Sequence, residues 1–127
     1  MEVRSPAEIA NEWVEAWSDG NTSTVGPGAD GSVLDWDLPR AQPELAWLAI
    51  LEALSQIGPN VSDRRFAVLA AGPLEDLMSE HGKLMIDRVE LHARRNPDFA
   101  RLLGGVWRND IDAAVWERMG KFAKRGW

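Results

Sequence analysis

Residues 70–82, AAGPLEDLMSEHG, gather the side chains of this sequence best suited to acid–base chemistry: Glu75, Asp76 and His81, one of only two histidines. A carboxylate within hydrogen-bond reach of an imidazole is a common arrangement for general acid–base catalysis. The spacing argues against it here. On a helix starting at Pro73, Leu74, Leu77, Met78 and His81 share one face, and Glu75 and Asp76 are turned from His81 by more than about 100°. A simpler reading accounts for each residue. Acids in a first turn complement the helix dipole, a histidine in the last turn does the same at the other end, and Gly82 suits a left-handed residue closing the helix. His81 then reads as a core histidine with one satisfied hydrogen bond.

Two further constellations were weighed. His92 sits at the edge of an apolar arc of Met85, Ile86, Val89 and Ala93. Across an antiparallel helix packing it could meet His81 at a metal, with Asp87 or Glu90 as a third ligand. Ion pairs from Asp87 and Glu90 to Lys83 and Arg94 explain those acids better, so no metal and no cofactor is expected. Glu52 stands in a segment that is apolar nearly all round, so it must reach solvent or find a donor such as an arginine. His81, Glu75, Asp76 and Glu52 are therefore the only candidates for catalysis, and the sequence joins them into no site. The absence of cysteine excludes disulfides and thiolate chemistry. GPGADGS lacks the lysine and the preceding strand of a phosphate loop, and no nucleophile elbow or dinucleotide fingerprint occurs.

The elements that would position these residues are helical. SPAE sets Ser5 as N-cap, Pro6 at the first helical position and Glu8 three residues after the cap. Ile9, Trp13, Ala16 and Trp17 then form an apolar stripe, with Glu8, Glu12 and Glu15 on the other side. Residues 18–32 are rich in turn formers and read as the longest and most mobile loop. In Val33–Leu38 apolar and acidic residues alternate, which permits a short strand or an extended arm. PELAWLAILEALSQI, ending before Gly58-Pro59, should be the most buried helix. Ser62 is placed to cap the next helix, which stops at Gly72-Pro73. Helices follow over 73–81, over 83–95, over the short PDFARLL behind Asn96-Pro97, and near 112–124, where Val115, Trp116, Met119 and Phe122 share a face. This is an all-α domain over 1–127, a compact bundle of six or seven short helices in antiparallel pairs, with an irregular acidic loop and arm near 18–42.

Charge divides the chain. Residues 1–63 hold 11 acids and 2 bases, a net of −9, whereas 64–127 hold 9 acids and 12 bases, a net of +3, giving −6 for the whole. That balance disfavours nucleic acid, whose phosphates need clustered bases, and favours a basic protein partner. No segment approaches the ~20 apolar residues of a membrane span, and MEVRSPAEIANEW lacks the pattern of a secretory signal. A cytoplasmic location is expected.

The pieces PELAW with ILEAL, LAAGPLEDLMSEHG, IDRVELHARRNPDF, LLGGVW and VWERM lie in order over residues 43–118. They resemble a bacterial family of uncharacterised helical domains, domain of unknown function 6869. The resemblance implies a small helical fold and brings no activity, substrate or catalytic residue. It singles out Pro73, Leu74, Glu75, Asp76, Leu77, Gly82, Gly105 and Trp107, and leaves the acidic first 40 residues outside. With no catalytic constellation, the expected function is a protein-binding module, of the kind represented by toxin-neutralising immunity proteins. Its contacts would be Glu8, Glu12, Glu15, Asp35, Trp36 and Asp37. The alternatives are a small enzyme or metal-dependent site built from His81, Glu75, Asp76 and Glu52, and a structural or regulatory subunit of a larger assembly. Trp36 and Trp127 look exposed, while Trp13, Trp17, Trp47 and Trp116 fit core faces.

Overall fold

The computed structural model describes residues 5–17, 34, 38–58, 60, 62–108 and 110–123. The expected mobile loop at 18–32 lies outside them, as do Asp35, Trp36, Asp37 and Trp127. Among the described residues the structure is all-α, with no strand.

Helix α1 (Pro6–Ala16) begins as its spacing predicts. Ser5 Oγ accepts the Glu8 N–H at 3.1 Å and Glu8 Oε1 accepts the Ser5 N–H at 2.8 Å, closing the capping box. An N-cap of this kind is worth about 1 kcal/mol. Ile9, Ala10 and Trp13 are buried, and α1 packs along α3 (Pro43–Ile57). Between them in sequence, Leu34 is buried and Leu38–Ala41 form a single helical turn, α2.

Helix α3 stops at Gly58, whose φ of 76° is the left-handed conformation open to glycine. Ala46, Trp47, Ala49, Ile50, Ala53, Leu54 and Ile57 are buried. The expectation of burial on every side does not hold: Leu48 is 48% exposed, and Leu51 and Glu52 are half-buried. Hydrophobicity all round a helix permits burial without enforcing it, since much of any protein surface is apolar.

Three local expectations are corrected along the next stretch. The cap of α4 (Arg64–Leu69) is Asp63, not Ser62. Its carboxylate accepts the Arg65 N–H at 2.9 Å, while the Ser62 N–H donates to Asn60 Oδ1 at 2.9 Å. Gly72-Pro73 does not break the chain into two helices. Residues Ala70–Leu74 form one π-helical turn that leads directly into α5 (Glu75–Arg95). Proline has no N–H to donate and its ring crowds the preceding turn of an α-helix, and the wider π turn accommodates both. Gly82 is no left-handed cap either: α5 continues past it, with a kink one residue earlier. The irregular residue is His81, at φ −132° and ψ 27°. Gly82 is buried where α7 crosses, and a Cβ there would lie 2.9 Å from Val115 Cγ1. Close approach, and not backbone freedom, is what needs glycine.

Asn96-Pro97 opens α6 (Pro97–Leu103) as predicted, and α6 buries Phe99, Ala100, Leu102 and Leu103. A Gly104–Gly105 turn leads to α7 (Ala113–Phe122), capped by Asp112, whose Oδ2 accepts the Ala114 N–H at 3.1 Å. Val115 and Met119 are buried, but Trp116 and Phe122 are half-buried. One core cluster runs from Ile9 to Met119, with Leu74, Leu77, Met78, Met85, Ile86 and Val89 of the long rod within it.

Candidate binding surfaces

Glu75 is the only buried charged residue among those described, at 8% exposure. The sequence reading put it on the outside of a first turn. The π turn shifts the register, and Oε1 instead accepts the backbone N–H of Trp107 at 3.2 Å. A buried carboxylate is costly unless hydrogen bonds compensate it. Here it joins the GPLEDL segment to the LGGVW segment. Asp76 is half-buried beside it, and the Trp107 side chain is 71% exposed.

His81 is half-buried, with Nε2 2.7 Å from the Arg40 carbonyl oxygen. A carbonyl only accepts, so Nε2 carries the proton, and the ring ties α2 to the irregular point of α5. Arg40 also faces Glu80, at 3.5 Å. Glu80, His81, Lys83, Leu84, Asp110 and Asp112 line a depression of about 440 Å³. Glu75, Asp76 and Glu52 are not part of it. His81 and Glu52 thus line different depressions, and the adjacent Glu75 and Asp76 line neither.

The His81–His92 pairing is also corrected. Both histidines lie on the single helix α5, eleven residues apart, or about 16 Å at 1.5 Å per residue. His92 packs edge-on against Trp47 and Phe99, with ring centroids 5.6 and 4.9 Å away, and burial pushes its pKa down. Asp87 and Glu90 make their direct contacts with Arg118 of α7, and of the expected partners Arg94 adds only a longer-range attraction to Glu90. Arg118 Nη2 lies 2.8 Å from Asp87 Oδ1 and 2.7 Å from Glu90 Oε1. Hydrogen bonding from Arg118 holds the Glu90 carboxyl below its ordinary range. Lys83 faces Asp112 at 3.9 Å, and the Arg94 guanidinium stacks 4.9 Å over the Phe122 ring. Among the described residues, no group of three or more His, Cys, Asp or Glu is placed to hold a metal.

The acidic surface has one built feature. Ser5, Pro6 and Ala7 of the first turn of α1, with Leu48, Leu51 and Glu52 of α3, enclose a shallow depression of about 490 Å³. Leu48, Leu51 and Glu52 follow the i, i+3, i+4 spacing and so share one helix face. Of the two alternatives for Glu52 the structure takes the first: the residue is half-buried and reaches solvent, and no ion pair to it is formed among the described residues. Of the α1 acids, Glu8 and Glu15 are exposed and Glu12 is half-buried. Glu44, in the first turn of α3, is taken up by Arg88 through two hydrogen bonds of 2.6 and 2.9 Å, which hold its carboxyl below the ordinary range.

The sequence reading missed two surface residues, Leu48 and Trp107. Trp107 carried a signal, since it follows a Gly-Gly turn and lies on no helical stripe. Leu48 carried none, because the sequence pattern around it is apolar on both sides.

Fold and surfaces together define a small all-helical domain with a Glu75-tethered turn and an acid-edged apolar depression. The chain belongs to the family of unknown function DUF6869, whose model matches residues 30–126. That match begins before Asp35, so the arm left outside by the resemblance over 43–118 falls within the family domain. Neither the curated proteins nor the solved structures contain a significant match to the chain. No helix among the described residues is long and apolar enough to cross a membrane.

Proposed function

We propose that this domain is a non-enzymatic protein-binding module that meets a basic protein through its acidic N-terminal half. The observation that carries the reading is the depression between α1 and α3. It is an apolar surface with an exposed leucine and with Glu52 among its lining residues, in the half of the chain that carries −9. Apolar contact gives such an interface its dwell time, and surrounding charge steers the encounter and selects the sign of the partner. A small acidic immunity protein that neutralises a basic toxin is one class with these properties.

Leu48 and Leu91 offer a matched test, because both are 48% exposed and they lie on different helices. Affinity capture from cells of the native source should recover a basic protein in stoichiometric amount with the wild-type domain. Leu91→Glu should retain it and Leu48→Glu should lose it. Equal behaviour of the two variants would remove the α1–α3 surface from the interface.

A second reading, a subunit of a larger assembly, is favoured by Trp107. Of the eight residues singled out by the resemblance, it is the large apolar one that stands on the surface. Trp107→Ser should shift the size-exclusion volume of such an assembly without changing the domain's stability.

A further inference from the structure

We propose that the α1–α3 depression is a socket for one arginine or lysine side chain of the partner, with Glu52 as its counter-ion. The inference rests on the protein-binding reading and names the group recognised. Arginine and lysine combine an aliphatic stem with a cationic head, and they lay the stem along apolar surface while the head keeps polar contacts. The depression has the complementary order. Pro6, Ala7, Leu48 and Leu51 supply apolar wall, and Glu52 is the charged residue among those that line it. A second carboxylate adjoins the rim, because Glu8 Oε1 is hydrogen-bonded to the Ser5 N–H at 2.8 Å and Ser5 lines the depression.

The charge distribution selects the occupant. Glu44 on the same helix is engaged by Arg88, whereas Glu52 forms no ion pair among the described residues. Glu52 is half-buried, and a carboxylate gains from a cation that brings its own hydrogen-bond donors. An anionic group would be repelled by Glu52, and a purely aliphatic one would gain nothing from its charge. Arginine has the stronger fit, since its planar fork can bind a carboxylate through two parallel hydrogen bonds.

Butylguanidinium, butanol and pentanoate carry the same butyl chain with positive, neutral and negative heads, so they probe the socket without a partner. Each would be titrated into the isotopically labelled full chain while backbone amide resonances are followed. Butylguanidinium should move Ala7, Leu48, Leu51 and Glu52 along a saturable course. Butanol should bind more weakly at the same amides, and pentanoate should leave them still. Glu52→Gln, which keeps the shape, should weaken butylguanidinium by at least about threefold, as for a partly exposed ion pair. Glu117→Gln on α7 should change nothing. Shifts spread over all acidic surfaces, equal response to the three heads, or indifference to Glu52→Gln would overturn the socket. If that happens while capture still depends on Leu48, the binding module stands and only the recognised group is wrong.

Discussion

The Glu75 carboxylate contributes most clearly as a structural group. It is buried, and it accepts the Trp107 N–H across 32 positions of sequence. Glu75→Ala removes the acceptor and leaves a part-buried donor without this partner, a loss of about 1–3 kcal/mol. Glu75→Gln keeps a carbonyl oxygen and should cost less. Urea unfolding gives the two magnitudes, and amide exchange at Trp107 should quicken in the alanine variant first. His92 supplies a pH-dependent effect of opposite character. Burial between Trp47 and Phe99 lowers its pKa below the ordinary 6.5. The unfolded chain therefore binds the proton more readily than the folded one. The stabilising contribution is complete above pH 6.5 and is lost as pH falls from there through the folded-state value. Melting temperature should decline over that window in the wild type, and His92→Gln should remove this part of the decline. Little of this chemistry was legible in sequence. The reading of His81 as a core histidine with one hydrogen bond holds for the bond and not for the core: the ring is half-buried, and its acceptor, the Arg40 carbonyl, lies 41 positions away. Such partners are set by packing.

Helix starts were the most legible elements. Ser5-Pro6, Pro43 and Asn96-Pro97 encode their starts in local backbone chemistry, and the structure begins helices at each. What local chemistry could not show is how Gly72-Pro73 is used. In isolation that dipeptide favours a stop. Packing of Ala70, Pro73 and Leu74 into the core instead carries the chain through a π turn. That turn moves Glu75 inward, so one unreadable feature accounts for the main error about the candidate site. Gly82 illustrates the same limit and allows a test. Alanine gains up to about 1 kcal/mol of helix propensity over glycine. Against that, its Cβ would meet Val115 Cγ1 at 2.9 Å, and overpacking costs about 1–3 kcal/mol. The contact should win, so Gly82→Ala destabilises. In a Val115→Ala background the obstructing methyls are gone and Gly82→Ala should stabilise. The reversal of sign in thermal unfolding, more than either magnitude, identifies close approach of α5 and α7 as the reason for the glycine.

At the scale of the molecule, the acidic half is tied to the basic half by an ion pair and a cation–π contact that cross between helices. Glu44 meets Arg88, and Arg64 stacks 5.3 Å over the Trp17 ring. Exposed acids remain on α1, and the described part of that helix carries no base: its last turn has none, and Glu8 and Glu15 face solvent. A field of one sign on one side raises association rates with a partner of opposite sign and is weakened by salt. Net charge alone would act otherwise, since a reversal anywhere on the surface would then have the same effect. Glu15 on α1 and Glu117 on α7 are both exposed and differ in which half they occupy. With the captured basic partner, Glu15→Lys should slow association several-fold at low salt and flatten its salt dependence, with dissociation nearly unchanged. Glu117→Lys should do far less. Stopped-flow rates at two ionic strengths decide between them. Equal slowing by the two variants would reduce the acidic half to a contribution to net charge and solubility.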